Sequence, residues 1–168
     1  LVGGIMVDMA REQIPEGVLF NVVCETHSCL PDAVQILTPC TAGNGWLRVV
    51  NLGRYAVVLY DKHKGEGFRV YLDPRKLDEW DEIRAWYLKL KTKREQDGDR
   101  LREEIRRAGR RVCTLHPVRV RTGDVIRRSK GAIGICGACG EAYPVKDGPV
   151  CLGCQGQAPY EMPVANKT

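Results

Sequence analysis

An α+β fold with a small metal-bound appendage is the architecture this sequence predicts, and three patterns carry the expectation. Runs rich in β-branched residues alternate with segments of helical period in the first two thirds of the chain. Glycine-bearing turns at 51–53 and 62–67 separate three of those runs at hairpin spacing. Two Cys-x-x-Cys pairs, Cys136/Cys139 and Cys151/Cys154, then crowd the C-terminal region. The predicted order is helix–strand–helix, a three-strand meander, a long helix and a four-cysteine zinc-binding domain, with a mixed sheet covered by helices.

Each element has a local reason. The opening "LVGGIMVDMAREQI" reads as an amphipathic helix with Ile5, Met9 and Ile14 on one broad face, ended by Pro15 and Gly17. "GVLFNVVCE" is a buried strand. "SCLPDAVQILT" is a short helix that starts near Ser28 or Cys29, has Pro31 in its first turn and is stopped by Pro39. "WLRVVNL", "YAVVLYD" and "FRVYLD" are strands, the first two joined by a turn at Asn51-Leu52-Gly53. From 75 to 110, Trp80, Ile83, Tyr87, Leu90, Leu101 and Ile105 recur at helical spacing, as one long helix or two; "DGD" at 97–99 is the candidate break, with Asp99 as a new N-cap. "HPVRVRT" reads as a short exposed strand. The boundaries that follow are a core at 1–110, a basic connector at 111–130, the cysteine knob at 131–157 and a loose tail at 158–168.

The knob has a specific chemistry. Eleven residues separate its two pairs, and each Cys-x-x-Cys turn can aim two sulfurs at one point. Four thiolates complete the closed tetrahedron of structural zinc. The segment has few large apolar residues, so a metal would supply its folding energy. Iron is the minor alternative for the same donors, and two disulfides are the alternative for a secreted chain. The sequence opens on no signal peptide and holds no apolar run of membrane-spanning length, which favours zinc and a cytoplasmic location.

Composition bounds the rest. Of the 168 residues 43% are hydrophobic, enough for one ordinary core, and 28% are charged. The net charge of +5 hides an asymmetry: residues 84–130 hold sixteen Lys and Arg against six Asp and Glu, a net of +10 that leaves −5 elsewhere. A basic middle beside a zinc knob raises a nucleic-acid reading, and a solvated helix face is the plainer one. The knob's "GEAYPVKDG" lacks aromatic–basic interleaving, so nucleic acid ranks as the lesser partner.

Four cysteines remain. Cys24, in a strand, and Cys113 read as small buried hydrophobes. Cys29 and Cys40 bracket "CLPDAVQILTPCTAGNG", where Cys29 and Asp32 share a helix face and Cys40 follows in a Thr/Gly-rich loop. That segment resembles the FmdE/FwdE family of formylmethanofuran dehydrogenase and its stand-alone relatives. The resemblance falls on Cys29, Asp32, Ala33, Gln35, Cys40, Thr41, Gly43 and Gly45, with Pro39 where the family has glycine and Asn44 where it has lysine. The preceding helix and strand, the meander with "FRVYLD" and the terminal knob are similar too. The resemblance implies an α+β core, a homodimer, and a role accessory to a molybdenum or tungsten oxidoreductase or in metal handling, without dehydrogenase chemistry of its own. It also brings a His-x-His-x-Cys-Pro-Gly segment ahead of the first helix, which these residues do not contain, as a source of further ligands for Cys29 and Cys40.

The leading expectation is therefore a metal-binding protein with structural zinc and a candidate second site for a transition metal at Cys29, Asp32 and Cys40. There Thr41, Gly43 and Gly45 would bring backbone N–H groups to a ligand. A small enzyme with Cys40 as nucleophile is the further alternative; its base would come from His27, His63 or His116.

Overall fold

Helix α1 (Val2–Arg11) lies across one face of a sheet, and its own sequence sets which side faces in. Val2, Met6 and Ala10 form an i, i+4 series, and Val7 joins them in the core. Ile5, Met9 and Ile14, expected to share one broad face, are partly buried and pack at the margin of the core. The rotation follows from close packing on the next helix. A Cβ at Gly3 would stand 3.0 Å from Ala33 Cβ, so the glycine edge is the one that can approach α2 (Leu30–Leu37). This computed structural model describes residues 1–121 and 131–160, in two units divided as Leu1–Ile126 and Arg127–Thr168.

The sheet of the first unit contains β1 (Phe20–Cys24), β2 (Leu47–Val49), β3 (Ala56–Asp61), β4 (Glu66–Leu72) and β5 (Cys113–Arg119), in the order β2-β1-β3-β4-β5. The α+β class with a mixed, helix-covered sheet is what the sequence pattern predicts. The first hairpin is not. β2 runs parallel to β1, with Val22 beside Leu47, so β1, α2 and β2 form a crossover unit. The chain at 51–53 then passes over the end of β1, where Leu52 N–H and Arg54 N–H both donate to the Glu25 carbonyl, and β3 pairs on β1's other side. The antiparallel meander is β3-β4-β5. Its last strand includes most of "HPVRVRT", read as a short exposed strand within the connector; it is a strand, and seven residues of pairing with β4 place it at the edge of the core sheet.

Between β4 and β5 the chain makes two helices, α3 (Asp81–Tyr87) and α4 (Gly98–Ala108), not one long one. Asp97, rather than Asp99, caps α4 by accepting from Asp99 N–H and Arg100 N–H. Ile83 is buried and Trp80 nearly so, whereas Leu90 lies beyond the helix and is exposed.

All four helices contribute to one apolar layer with Val22, Cys24, Leu47, Val57, Leu59, Val70 and Leu72. Each such side chain buried contributes roughly 1.5–3 kcal/mol. The opposite face carries Val23, Val58 and Tyr60, packed with Val50 and Val118. Above it Glu25 accepts from Arg69 Nε and Nη2 at 2.7 and 2.8 Å and from Arg54 Nε at 2.8 Å. Gly67 on β4 is required by close approach. A Cβ there would meet the Leu59 carbonyl oxygen at 2.1 Å.

The second unit is slight. A hairpin, β6 (Ile133–Ile135) and β7 (Ala142–Pro144), leads to a short turn at Val145–Asp147 and a wide helical turn at Gly153–Gln157. The tail beyond 160 and the connector residues 122–130 lie outside the described residues.

Candidate metal centre and core thiols

The hairpin of the second unit exists to present sulfur. Cys136 follows β6, its N–H donates to the Glu141 carbonyl at 2.8 Å, and Gly140 N–H closes the turn on the Cys136 carbonyl at 2.8 Å. Gly140 has φ 78, a left-handed value that a side chain would resist, so Cys139 can curl back beside Cys136. The second knuckle is pinned by Gln155, whose amide nitrogen donates to the carbonyls of Asp147 and Val150. Within it, Cys154 N–H approaches Cys151 Sγ at 3.5 Å, and Cys151 N–H reaches across to Cys136 Sγ at 3.4 Å.

The four sulfurs converge. The Sγ atoms of Cys136, Cys139, Cys151 and Cys154 all lie within 4.8 Å of one another, and all four cysteines are free. Tetrahedral zinc at a Zn–S distance of about 2.3 Å requires sulfurs about 3.8 Å apart. The Cys139–Cys151 separation is 3.8 Å. Charge points the same way. The N–H groups of Cys151 and Cys139 pull the Cys136 thiol down to about 6, while the neighbouring sulfurs of Cys151 and Cys139 push Cys154 up to about 12. A cluster in which one thiolate makes its neighbour harder to ionise is completed by a cation at its centre. Zinc here would close the two knuckles on each other, with all four positions taken by protein and none left for a substrate.

The core cysteines behave differently. Cys24 and Cys113 are buried apolar residues, as expected, and burial pushes their thiols up to about 12 and about 11. Cys29 is the N-cap residue of α2 and is exposed; its sulfur touches the Tyr55 hydroxyl at 3.4 Å. Tyr55 in turn meets Trp86 and Tyr87 edge-on, at ring-centroid distances of 6.0 and 6.5 Å. Burial, then the Cys29 thiol, hold the Tyr55 hydroxyl far above its usual range. Asp32 is exposed on the first turn of the same helix.

Cys40 is fully buried. Its S–H donates to the Phe20 carbonyl at 3.4 Å, its N–H donates to Thr38 Oγ1, and burial raises its thiol above the ordinary range. Among the described residues the four C-terminal cysteines are the one group of metal-ligating side chains that meets; Cys29, Asp32 and Cys40 are not brought into such a group. The loop after Cys40 is knotted by Asn44, whose Oδ1 accepts from Thr41 N–H and Trp46 N–H while its amide donates to the Pro39 carbonyl. Those N–H groups are satisfied internally, so the loop from Thr41 through Gly43 to Gly45 is a closed turn at that end. His27, His63 and His116 are all exposed, His116 stacked on Tyr71, and none of them hydrogen-bonds Cys40. No motif or spacing marks Tyr55 as the partner of Cys29; it lies 26 residues on and arrives there because β3 starts beside the crossover.

Comparison with known proteins agrees with both halves. Residues 1–121 match the family described as "FmdE, Molybdenum formylmethanofuran dehydrogenase operon", and residues 127–161 match the FmdE treble clef zinc finger. The crystal structure of a tungsten formylmethanofuran dehydrogenase FmdE-like protein from Syntrophus aciditrophicus is 52% identical, superposes with a TM-score of 0.86, and is matched over 95% of this chain and 84% of that one. A probable S-adenosyl-L-methionine-binding protein of Archaeoglobus fulgidus is 31% identical over 160 residues, which is 88% of this chain and 43% of that protein. The chain thus spans less than half the length of that curated relative. On these matches, and on the four-sulfur centre that accompanies the α+β core, the chain belongs to the FmdE family and carries its treble-clef zinc finger.

Proposed function

We propose that this chain is an accessory, metal- or ligand-handling protein that serves a molybdenum or tungsten oxidoreductase, with the finger as a folding device and Cys29 as the working group of the core. The observation that carries the reading is the exposed Cys29 sulfur at the head of α2, against Tyr55. A thiolate there, with Asp32 on the same turn, offers a soft ligand with open positions that water or a partner protein can fill. The protein would act in the cytoplasm as a homodimer, for which the exposed apolar pair Ile36 and Leu37 on α2 offers a patch.

Metal analysis tests this directly. The purified chain should hold one equivalent of zinc, and cobalt(II) titration should fill a second, weaker site that Cys29→Ser removes while the zinc stays. A chain that binds no second metal in the presence of excess cobalt, and that fails to co-purify with any pterin-containing oxidoreductase, would overturn the reading. The similarity to the Archaeoglobus protein motivates a second reading, S-adenosyl-L-methionine binding, which calorimetry with that ligand decides.

A further inference from the structure

The turn that leaves α3 is built at a local cost. Lys89 has φ 54, the one left-handed non-glycine residue among those described. Leu90 N–H returns to the Ala85 carbonyl at 2.9 Å and Lys89 N–H to the Trp86 carbonyl at 3.4 Å, a helix-ending turn in which glycine is the ordinary choice. Lysine in this place asks for a reason.

The loop beyond it is held open rather than slack. Lys91 Nζ is tied to the buried Glu82 carboxylate at 2.7 Å. Gln96 Nε2 donates to the Lys91 carbonyl at 3.2 Å. The Glu95 carboxylate accepts from Thr92 N–H at 2.9 Å and from Thr92 Oγ1 at 2.7 Å. Between loop and helix lies a cleft of about 600 Å³, with Trp86 in its wall and Lys89, Lys91, Lys93 and Glu95 around it. This is the size of small-molecule sites.

Its charge balance is one-sided. Glu95, the acid of the cleft, keeps its negative charge, because the hydrogen bonds from Thr92 lower its pKa, and Lys91 is paired with Glu82, so the two remaining lysines leave the cleft with one positive charge in excess. Lys89 and Lys93 are exposed and have no carboxylate at ion-pair distance among the described residues. An indole wall beside two free ammonium groups suits a planar ring that carries negative charge.

We propose that this cleft binds a small aromatic anion, with its ring against Trp86 and its charged group on Lys89 and Lys93. Two aromatic side chains, Trp86 and then Tyr55, would stand between the ligand and the Cys29 sulfur. The proposal does not depend on a second metal and stands if the cobalt titration finds none.

Binding to the full zinc-loaded chain is measured by calorimetry with three probes: adenosine 5′-monophosphate, flavin mononucleotide and 2-naphthalenesulfonate. At least one should bind saturably, and inorganic phosphate and adenosine, each with half of the chemistry, more weakly. Trp86→Leu should weaken the best probe by about tenfold or more, the usual scale of stacking on an aromatic side chain. Because Trp86 also supports Tyr55, Lys89→Gly is the cleaner variant. Glycine accepts the backbone angle, so the melting temperature should hold or rise, while affinity falls about threefold for one exposed charge pair. Adding Lys93→Gln should weaken it again. The proposal fails if none of the probes binds saturably, or if the best one binds Lys89→Gly/Lys93→Gln as tightly as the parent.

Discussion

The two units of this protein are held together by different physics. In the first, a continuous apolar layer joins α1, α2, α3 and α4 to the sheet, and most of its members are fully buried. In the second, Ile135 is 71% exposed, Ile133, Val145 and Leu152 are exposed too, and Tyr143 and Cys136 are the buried residues among those described. One unit derives its stability from area removed from water, the other from converging ligands. The difference teaches where each should break. A metal chelator should be almost invisible to the first unit and decisive for the second, and a cavity in the core should do the reverse.

The largest expected effect is therefore on the finger. Cys136→Ser or Cys151→Ser should release the zinc and with it the stabilisation that orders the hairpin, on the order of 10–16 kcal/mol apparent for small zinc sites. Amide exchange should show 133–157 unprotected and the β1, β3 and β4 amides unchanged. Stoichiometric zinc in both variants would remove the basis of the comparison. In the other direction, Met6→Ala removes a fully buried side chain from α1, at a cost of roughly 2–5 kcal/mol, and should leave the finger's zinc in place.

A smaller effect, and one that acid alone can produce, resides on the polar face of the sheet. Burial raises the Glu25 carboxyl, but Arg69 and then Arg54 more than reverse it, so its folded pKa lies below the usual carboxylate value. Asp73, hydrogen-bonded by Arg75 and Thr114, lies well below it as well. A depressed folded pKa means stability that is present above the unfolded value, about 4.3 for Glu, and lost as pH falls through the folded one. The core's urea midpoint should drop below about pH 4, and Glu25→Gln should flatten that drop at a cost of about 3 kcal/mol near neutrality. An unchanged midpoint in Glu25→Gln would show that the Arg69 pair is neutral to stability.

How much of this is legible in the sequence follows the same division. The finger is readable to the residue, because four identical ligands at fixed spacing leave one sensible geometry. The core is readable as a class and as elements, yet the pairing of β2 is not. A short apolar strand after a Gly-rich loop carries no mark of parallel or antiparallel partnership, and the nearest turn signal suggests a hairpin. Cys29 and Cys40 look like companions in sequence because they bracket one helix. Cys40 is instead captured by the Phe20 carbonyl on β1, and Cys29 by Tyr55 at the start of β3, both contacts across strands that local spacing does not encode. The surroundings of both cysteines are set by sheet topology, the part least visible in sequence.

The smallest expected effect sits in α4, the element of the core that most resembles the finger. Ile105 and Ala108 are its buried residues, and much of its remaining surface is arginine and glutamate. Like the finger, it depends on specific polar contacts. The Asp97 carboxylate accepts from Asp99 N–H and Arg100 N–H at 3.0 Å each, and Glu104 reaches back to cap α3 through Glu82 N–H at 2.9 Å and Ile83 N–H at 3.1 Å. An N-cap of this kind contributes about 1 kcal/mol. If α4 folds as part of the core, Asp97→Ala should lower the core's unfolding free energy by about that amount, with protection lost evenly across the unit. If α4 is stabilised locally, as the finger is, exchange should accelerate over 98–104 alone while the global midpoint stays where it was. The packing of Ile105 and Ala108 into the layer that holds Ile83 and Val112 favours the first outcome, and hydrogen exchange resolved by residue distinguishes the two.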